Sequence, residues 1–195
     1  SGLLVAVFKN NVFAGSAICT NGSYSMQIDL FNERNDLVAR QYDALNQASP
    51  DSNLVSITFN SGFTGLGPRI SLTTAYAKRG ADPGTILSWP ITLSGGQGPY
   101  AISIDWGDKT KPDLMSRTTP GNIDLQHIYQ KSGVYNITIK ATDVNGQTAF
   151  LQVVGVANGP IQQSTAGVNT VSGTPTTPIP IFFWVILALL LPLLF

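Results

Sequence analysis

The chain has 195 residues, no formal net charge and only 11% charged residues. Its lysines and arginines form no run, so the sequence offers no electrostatic footprint for nucleic acid, and we expect no nucleic-acid partner. Short β-branched and aromatic runs alternate with Gly, Ser, Thr and Asn, and no apolar 3.6-residue period occurs before the C-terminus. The sequence therefore predicts an all-β soluble part, divided between two small cores, with helix only at the end.

The first module covers residues 1–60. Three stretches in it alternate apolar with polar side chains, which predicts half-buried strands with one face in a core. These stretches are Leu3/Val5/Val7, Tyr24/Met26/Ile28/Leu30 and Val55/Ile57/Phe59. Turn residues at Lys9-Asn10-Asn11 and Thr20-Asn21-Gly22 separate the early strands. A stretch rich in Gly and Pro over residues 61–69 then predicts a linker.

Cys19 is the only cysteine of the chain. A single cysteine excludes an intrachain disulfide framework and a cysteine-based zinc site. Two readings of Cys19 stay open. It is a buried free thiol, or it pairs with a cysteine that lies upstream of residue 1 in a longer secreted protein.

The second module covers residues 70–158. Four sets of residues alternate in it, and Gly-rich turns such as Ser94 to Pro99 separate them. Strands at this spacing with turn signals between them predict a β-sandwich. The four sets are Leu87/Trp89/Ile91/Leu93, Tyr100/Ile102/Ile104/Trp106, Tyr135/Ile137/Ile139/Ala141 and Leu151/Val153.

The C-terminal part of the chain changes composition twice. Residues 159–178 are rich in Thr, Ser, Gly and Pro and poor in large apolar side chains, which predicts a stalk without a core of its own. Residues 179–195 read IPIFFWVILALLLPLLF and carry no charge. A run this apolar predicts a transmembrane helix, about 25 Å long at 1.5 Å per residue. We therefore expect a single-pass protein of the cell membrane with residues 1–178 outside the cytoplasm.

Four ordered motifs of the second module carry a resemblance to a known family. They read SIDWGD from Ser103, HIY from His127, GVYNITI from Gly133 and TDVNG from Thr142. Residues 70–157 thus resemble the PKD domain family, although Lys109 stands where a glycine is more usual. The resemblance implies an immunoglobulin-like β-sandwich of extracellular surface proteins. It also implies a structural motif made of Trp106, Gly107, Asp108, His127, Tyr129, Gly133, Tyr135, Asp143 and Gly146.

The first module resembles the bacterial Ig-like modules that occur in tandem on surface proteins. The resemblance rests on its turns and on an A-x-x-x-D-x-x-N-x-x-S run, in which Ala39, Asp43, Asn46 and Ser49 fall. Such modules carry a further strand ahead of the position of residue 1. The resemblance therefore implies two tandem immunoglobulin-like sandwiches, the first of them missing its first strand.

The aspartates of the motifs have two interpretations. Asp105, Asp108 and Asp143 lie in turns, where a carboxylate accepts backbone N–H bonds without any ligand. Calcium is the alternative, because it prefers hard oxygen ligands from turns. Nothing in the sequence gathers six oxygens, so we expect no metal and no cofactor.

We expect no catalytic residues and no enzymatic activity. His127 is the only histidine, and its place in the HIY motif favours a packed strand residue. The sequence contains no G-x-S-x-G, H-E-x-x-H, P-loop or G-x-G-x-x-G motif.

Two function classes remain. The modules are a spacer or structural element of the cell surface, or they bind a protein or carbohydrate ligand as an adhesin does. Binding would use an exposed aromatic such as Phe63 or the segment from Thr110 to Asn122, since a loop on a rigid scaffold is where binding residues concentrate. The ligand-binding residues are otherwise unknown. An exposed apolar patch favours binding, and a uniformly polar surface favours the spacer.

Overall fold

The computed structural model describes residues 2–30, 33–60 and 68–158, which belong to the first of two compact units, Ser1–Gln162. These residues contain twelve β-strands and no helix, which confirms the all-β prediction for this part of the chain. It follows that no membrane-spanning helix occurs among them. Phe63, the predicted stalk and the predicted transmembrane segment lie outside the described residues.

The first four strands form one sheet in the order β2-β1-β3-β4, with antiparallel neighbours throughout. Its strands are β1 (Leu3–Lys9), β2 (Val12–Cys19), β3 (Glu33–Tyr42) and β4 (Val55–Phe59). The turn between β1 and β2 places Asn10 and Asn11 at φ of 49° and 65°. Asparagine tolerates this left-handed region better than most residues, which explains the turn predicted there.

The other eight strands form two further sheets, in the orders β10-β7-β5 and β6-β12-β11-β8-β9. All neighbouring pairs are antiparallel except β6 and β12, which run parallel. The eight strands are β5 (Ser71–Thr73), β6 (Lys78–Ala81), β7 (Ile86–Ser94), β8 (Tyr100–Asp105), β9 (Asp113–Arg117), β10 (Gly121–Ile128), β11 (Gly133–Thr142) and β12 (Thr148–Ala157).

These two sheets enclose one hydrophobic core. Alternate residues of β7 and β10 on one side, and of β8, β11 and β12 on the other, are buried together. Trp89, Trp106 and Tyr100 are the largest fully buried side chains. Burying each large apolar side chain contributes about 1.5–3 kcal/mol relative to leaving it exposed. The second module is therefore a β-sandwich, as its alternation predicts.

Strand β12 is covered on both faces. Leu151 and Val153 belong to the sandwich core, and their neighbours Gln152 and Val154, which point to the opposite face, are buried as well. The covering layer on that side is the first sheet, whose strand β2 packs against β12. The first module therefore uses the outer surface of the sandwich as a packing partner.

Two predictions for the first module are wrong. Residues 24–30 alternate as predicted but pair with no strand, so no β-strand forms there. Strand β4 forms as predicted, yet Val55 and Ile57 are 46% and 37% exposed instead of facing a core. The described residues of the first module form one sheet and not a two-layered sandwich of their own. Its immunoglobulin-like character stays a prediction.

The segment from Thr110 to Asn122 is not the long loop that the sequence predicts. Its residues 113–117 form β9, which pairs with β8 at the edge of the five-stranded sheet. Residue 121 then begins β10 in the opposite sheet. The segment is therefore largely sheet, and it offers less free loop for binding than we expected.

Candidate functional site

The motif residues of the second module form an aromatic cluster at one end of the sandwich. Trp106 stacks on His127, with ring centroids 4.6 Å apart. His127 meets Tyr129 edge-on at 4.7 Å, and Tyr129 stacks on Tyr135 at 4.0 Å. Such pairs contribute about 0.5–1.5 kcal/mol each beyond area burial. The structure thus brings together the four aromatic motif residues.

Hydrogen bonds fix the polar ends of these rings. The Tyr129 hydroxyl donates to the Trp106 carbonyl at 2.9 Å, and the Trp106 indole N–H donates to Asp113 Oδ2 at 2.7 Å. Burial raises the pKa of Tyr129 far above its ordinary value, and the nearby charge of Asp108 adds to the effect. The phenol therefore stays neutral and serves as a hydrogen-bond donor.

Asp108 ties the cluster to its turn. Its Oδ2 lies 2.9 Å from His127 Nε2, while its Oδ1 accepts the Thr110 N–H at 3.0 Å and the Thr110 hydroxyl at 2.6 Å. Partial burial raises the pKa of Asp108, but the hydrogen bonds from Thr110 and His127 outweigh it and leave the pKa below its ordinary value. The Thr110 hydroxyl donates to the carboxylate and not to the imidazole, so these three residues do not have the order of a Ser-His-Asp relay.

The turn after β8 requires its glycine. Gly107 has φ of 75°, and a Cβ there would lie 2.4 Å from the Asn136 carbonyl oxygen. Asp105 Oδ1 accepts the Gly107 N–H at 2.9 Å. Lys109 lies in the same left-handed region with φ of 69°, which glycine adopts more readily than other residues.

The three candidate calcium ligands do not form one site. Asp143 Oδ1 accepts the N–H groups of Asn145 and Gln147, and its Oδ2 accepts that of Gln97. On the β8–β11 ladder Asp105 lies opposite Thr138, whereas the Asp143 turn begins beyond Thr142 at the other end. Within the described ranges no three Asp, Glu, His or Cys side chains are placed to hold a metal ion.

The A-x-x-x-D-x-x-N-x-x-S run of the first module also forms a turn that its own side chains stabilise. Asp43 Oδ1 accepts the N–H groups of Leu45 at 2.9 Å and Gln47 at 2.8 Å, and Asn46 takes the left-handed φ of 63°. Ser49 continues the turn by accepting the Gln41 N–H on its hydroxyl.

Cys19, at the end of β2, is a half-buried free thiol. A pairing of Cys19 upstream of residue 1 stays a prediction.

An open apolar groove lies on the first sheet, and sequence reasoning missed it. Its volume is about 410 Å³. The extended segment 24–30 forms one wall, and strands β1, β3 and β4 form the floor. Alternation along β4 pointed to a buried face, so no sequence signal marked the opening. The apolar lining residues are Val7, Tyr24, Met26, Ile28, Leu37, Val38, Ala39 and Val55.

No protein-family model and no curated protein matches the chain. The solved structures similar to it include two at low identity. The PKD domain of an M14-like peptidase from a Thermoplasmatales archaeon is 16% identical with a TM-score of 0.37, over 48% of this chain and 99% of that one. A putative membrane anchored protein from Corynebacterium diphtheriae is 14% identical with a TM-score of 0.29, over 82% of this chain and 53% of that one. At these TM-scores neither likeness carries an argument about function.

Proposed function

We propose that the protein is a membrane-anchored, extracytoplasmic spacer of the cell surface that has no enzymatic activity. In this proposal the apolar segment 179–195 is the anchor, and two β modules hold whatever precedes them away from the membrane. The observation that supports a spacer best is the junction between the modules. A spacer keeps its two ends at a fixed separation only if its modules do not bend at that junction.

Polar contacts join the first module to β11 and β12. Gln152 is buried, and its side-chain amide donates to the Ser25 carbonyl and accepts the Gln27 N–H, both at 3.3 Å. The Ile18 N–H donates to Asn136 Oδ1 at 3.3 Å. These bonds fix both β2 and the segment 24–30 on the outer surface of the sandwich.

A charged group of residues closes the same junction. Asp29 Oδ2 accepts the Phe150 N–H at 3.0 Å, the Lys9 ammonium donates to the Asp29 carbonyl, and Arg69 donates to the Leu30 carbonyl. Burial raises the pKa of Asp29, although the Phe150 bond and the charges of Lys9 and Arg69 partly oppose it. The junction therefore combines apolar packing with bonds from both modules, as a stiff connection requires.

Spin labels can test this stiffness. Leu45 in the first module and Leu114 in the second are 77% and 80% exposed, so labels there leave the packing unchanged. We expect one narrow distance distribution for the doubly labelled Leu45→Cys, Leu114→Cys chain in a Cys19→Ala background. Labels at Leu114 and Ile86, both in the second module, give the reference width. A distribution much broader than that reference contradicts the rigid spacer.

Adhesin-type binding is the second candidate function, and the open groove favours it. Val55, Ile57, Leu54 and Tyr24 expose apolar surface around the groove. Large exposed apolar patches are rare on soluble monomeric proteins, and those that occur often mark interaction sites. If a protein ligand binds in the groove, we expect Val55→Asp to weaken that binding. The measurement is the loss of adhesion by cells that carry normal levels of the protein on their surface.

A further inference from the structure

The first sheet repeats the large sheet of the sandwich. The order β2-β1-β3-β4 matches β9-β8-β11-β12 strand for strand, and the strands follow each other along the chain in the same sequence. In both sheets the two central strands pair antiparallel, as do their outer neighbours. The large sheet has one strand more, β6, which lies beside β12.

The turns of the two sheets agree in atomic detail. After β3 the chain reads DALNQ from Asp43, and after β11 it reads DVNGQ from Asp143. In each turn the aspartate carboxylate accepts the same two N–H groups, two and four residues on. The backbone bonds Asp43 to Gln47 and Asp143 to Gln147 also recur. The fourth residue of each turn has a positive φ. Residues 33–43 therefore correspond to residues 133–143.

Side chains at corresponding positions of the two sheets differ in burial. The pair Leu37 and Val55 corresponds to Ile137 and Val153. Both residues of the second pair are completely buried beneath β7 and β10, whereas Val55 is 46% exposed and Leu37 is only half-buried. The groove thus occupies the place that the opposite sheet fills in the second module.

The segment 24–30 corresponds to β10. Each follows the outer hairpin strand and precedes the strand that leads into the aspartate turn. Strand β10 pairs with β7 over eight residue pairs, but among the described residues no counterpart of β7 lies beside the segment 24–30. A strand needs a neighbour for its backbone bonds. This absence explains why a correctly alternating sequence forms no strand there.

The edge of β4 corresponds to a filled edge in the sandwich. The Val154 N–H donates outward to the Ala77 carbonyl at 3.2 Å, and Val154 and Val156 of β12 face β6 in parallel. Ser56 and Thr58 hold the equivalent positions in β4. Because backbone groups alternate in direction along a strand, the same correspondence turns those of Val55 and Ile57 towards their partners in β3. The outward backbone groups of β4 are therefore those of Ser56 and Thr58, and β4 carries no lysine or proline to protect that edge.

We propose that the first sheet is half of a second β-sandwich, which is completed by counterparts of β5, β6 and β7. One incoming strand pairs with the segment 24–30 and lays alternate apolar side chains into the groove. Another runs parallel to β4 along Ser56 and Thr58. Because β5 to β7 precede β8 in the complete module, their counterparts precede β1. The occupant is therefore the polypeptide that precedes Ser1 in the same protein.

Cysteine labelling tests this occupant directly. We compare the full chain beginning at Ser1 with the chain that also carries the residues encoded ahead of Ser1, both with Cys19→Ala. A Val55→Cys variant reports the groove, and a Leu114→Cys variant on the edge strand β9 serves as the exposed control. With a membrane-impermeant maleimide, we expect Val55→Cys to react at least about tenfold more slowly in the longer protein, as a buried site does. We expect Leu114→Cys to react equally in both.

Equal labelling of Val55→Cys in the two proteins overturns the proposal. So does protection that appears in the shorter chain as its concentration rises, because the groove is then filled by a second copy. Amide hydrogen exchange gives an independent readout without substitutions. The Ser56 and Thr58 amides should slow in the longer protein, while the Val55 and Ile57 amides, which face β3, should be protected in both.

Discussion

At the scale of single residues, hydrogen bonds to the Asp108 carboxylate hold the side chains of the motif cluster in place. Asp108 accepts three hydrogen-bond donors from Thr110 and His127 while its side chain stays 14% exposed. Hydrogen bonds to an ionised group are about twice as strong as neutral ones. The cluster therefore depends on the ionisation of Asp108, and the contacts of Trp106 and Tyr129 with His127 depend on the position in which Asp108 holds the imidazole.

An Asp108→Asn substitution tests this dependence. The pKa of Asp108 is lowered in the folded state, so its contribution to stability is present above the unfolded pKa of about 3.9 and is lost as the pH falls through the folded value. We expect the variant to lose about 1–2 kcal/mol of unfolding free energy at pH 7. Urea denaturation measures the loss, and at pH 3 it should shrink. A difference that stays constant between the two pH values would show that the carboxylate charge is irrelevant.

The motif residues show what sequence can predict at this scale. The SIDWGD, HIY and GVY patterns contain the aromatic side chains that meet in the cluster. Which partner each group takes was not predictable. The contact of Asp108 with His127 joins residues 19 positions apart and depends on how β10 packs across the sandwich.

At the scale of elements, the contacts at the junction between the two modules determine how the first module docks on β12. Gln152 is a polar side chain in a strand whose other residues after Thr148 are apolar, and it bonds to two backbone groups of the segment 24–30. A buried polar group is stabilising only while its bonds are made. Gln152 therefore specifies where the first module docks on β12.

A Gln152→Ala substitution should weaken the junction. It removes the donor to Ser25 and the acceptor for Gln27, and we expect a loss of about 1–3 kcal/mol because Gln152 makes both bonds from a buried position. Guanidinium denaturation monitored by tryptophan fluorescence measures the loss. Gln126→Ala on β10 is the matched control, since Gln126 is exposed and its side-chain amide donates to Asp124 of the same strand. Equal stability of the two variants would mean that Gln152 does not hold the modules together.

Alternation predicted the central strands β7, β8, β11 and β12 because each has one face in a core. It did not mark β5, β6 and β9, which are short edge strands of three to five residues with few apolar side chains. The opposite error occurred at 24–30, where the pattern alternates correctly but no strand of the described part of the chain pairs with it. Periodicity reports which face of a strand should be buried, and it carries no information about whether a partner is present.

At the scale of the whole molecule, three parts of the sequence follow one another. The described modules form a β unit, a Thr- and Pro-rich stretch follows them, and an apolar segment comes last. Net charge is zero and charged residues are few, so attachment to a membrane would depend on apolar burial and not on attraction to anionic lipid. A spacer function requires all three parts to lie in this order across one membrane.

The most direct measurement is the topology of the full chain in a cell membrane. Protease added from outside should cut within residues 159–178 and release a folded fragment that contains both β modules, while residues 179–195 stay with the membrane. Release of that fragment, with the modules resistant to further cleavage, is the result that the account predicts. Complete protection from external protease, or recovery of the uncut chain in the soluble fraction, would contradict it.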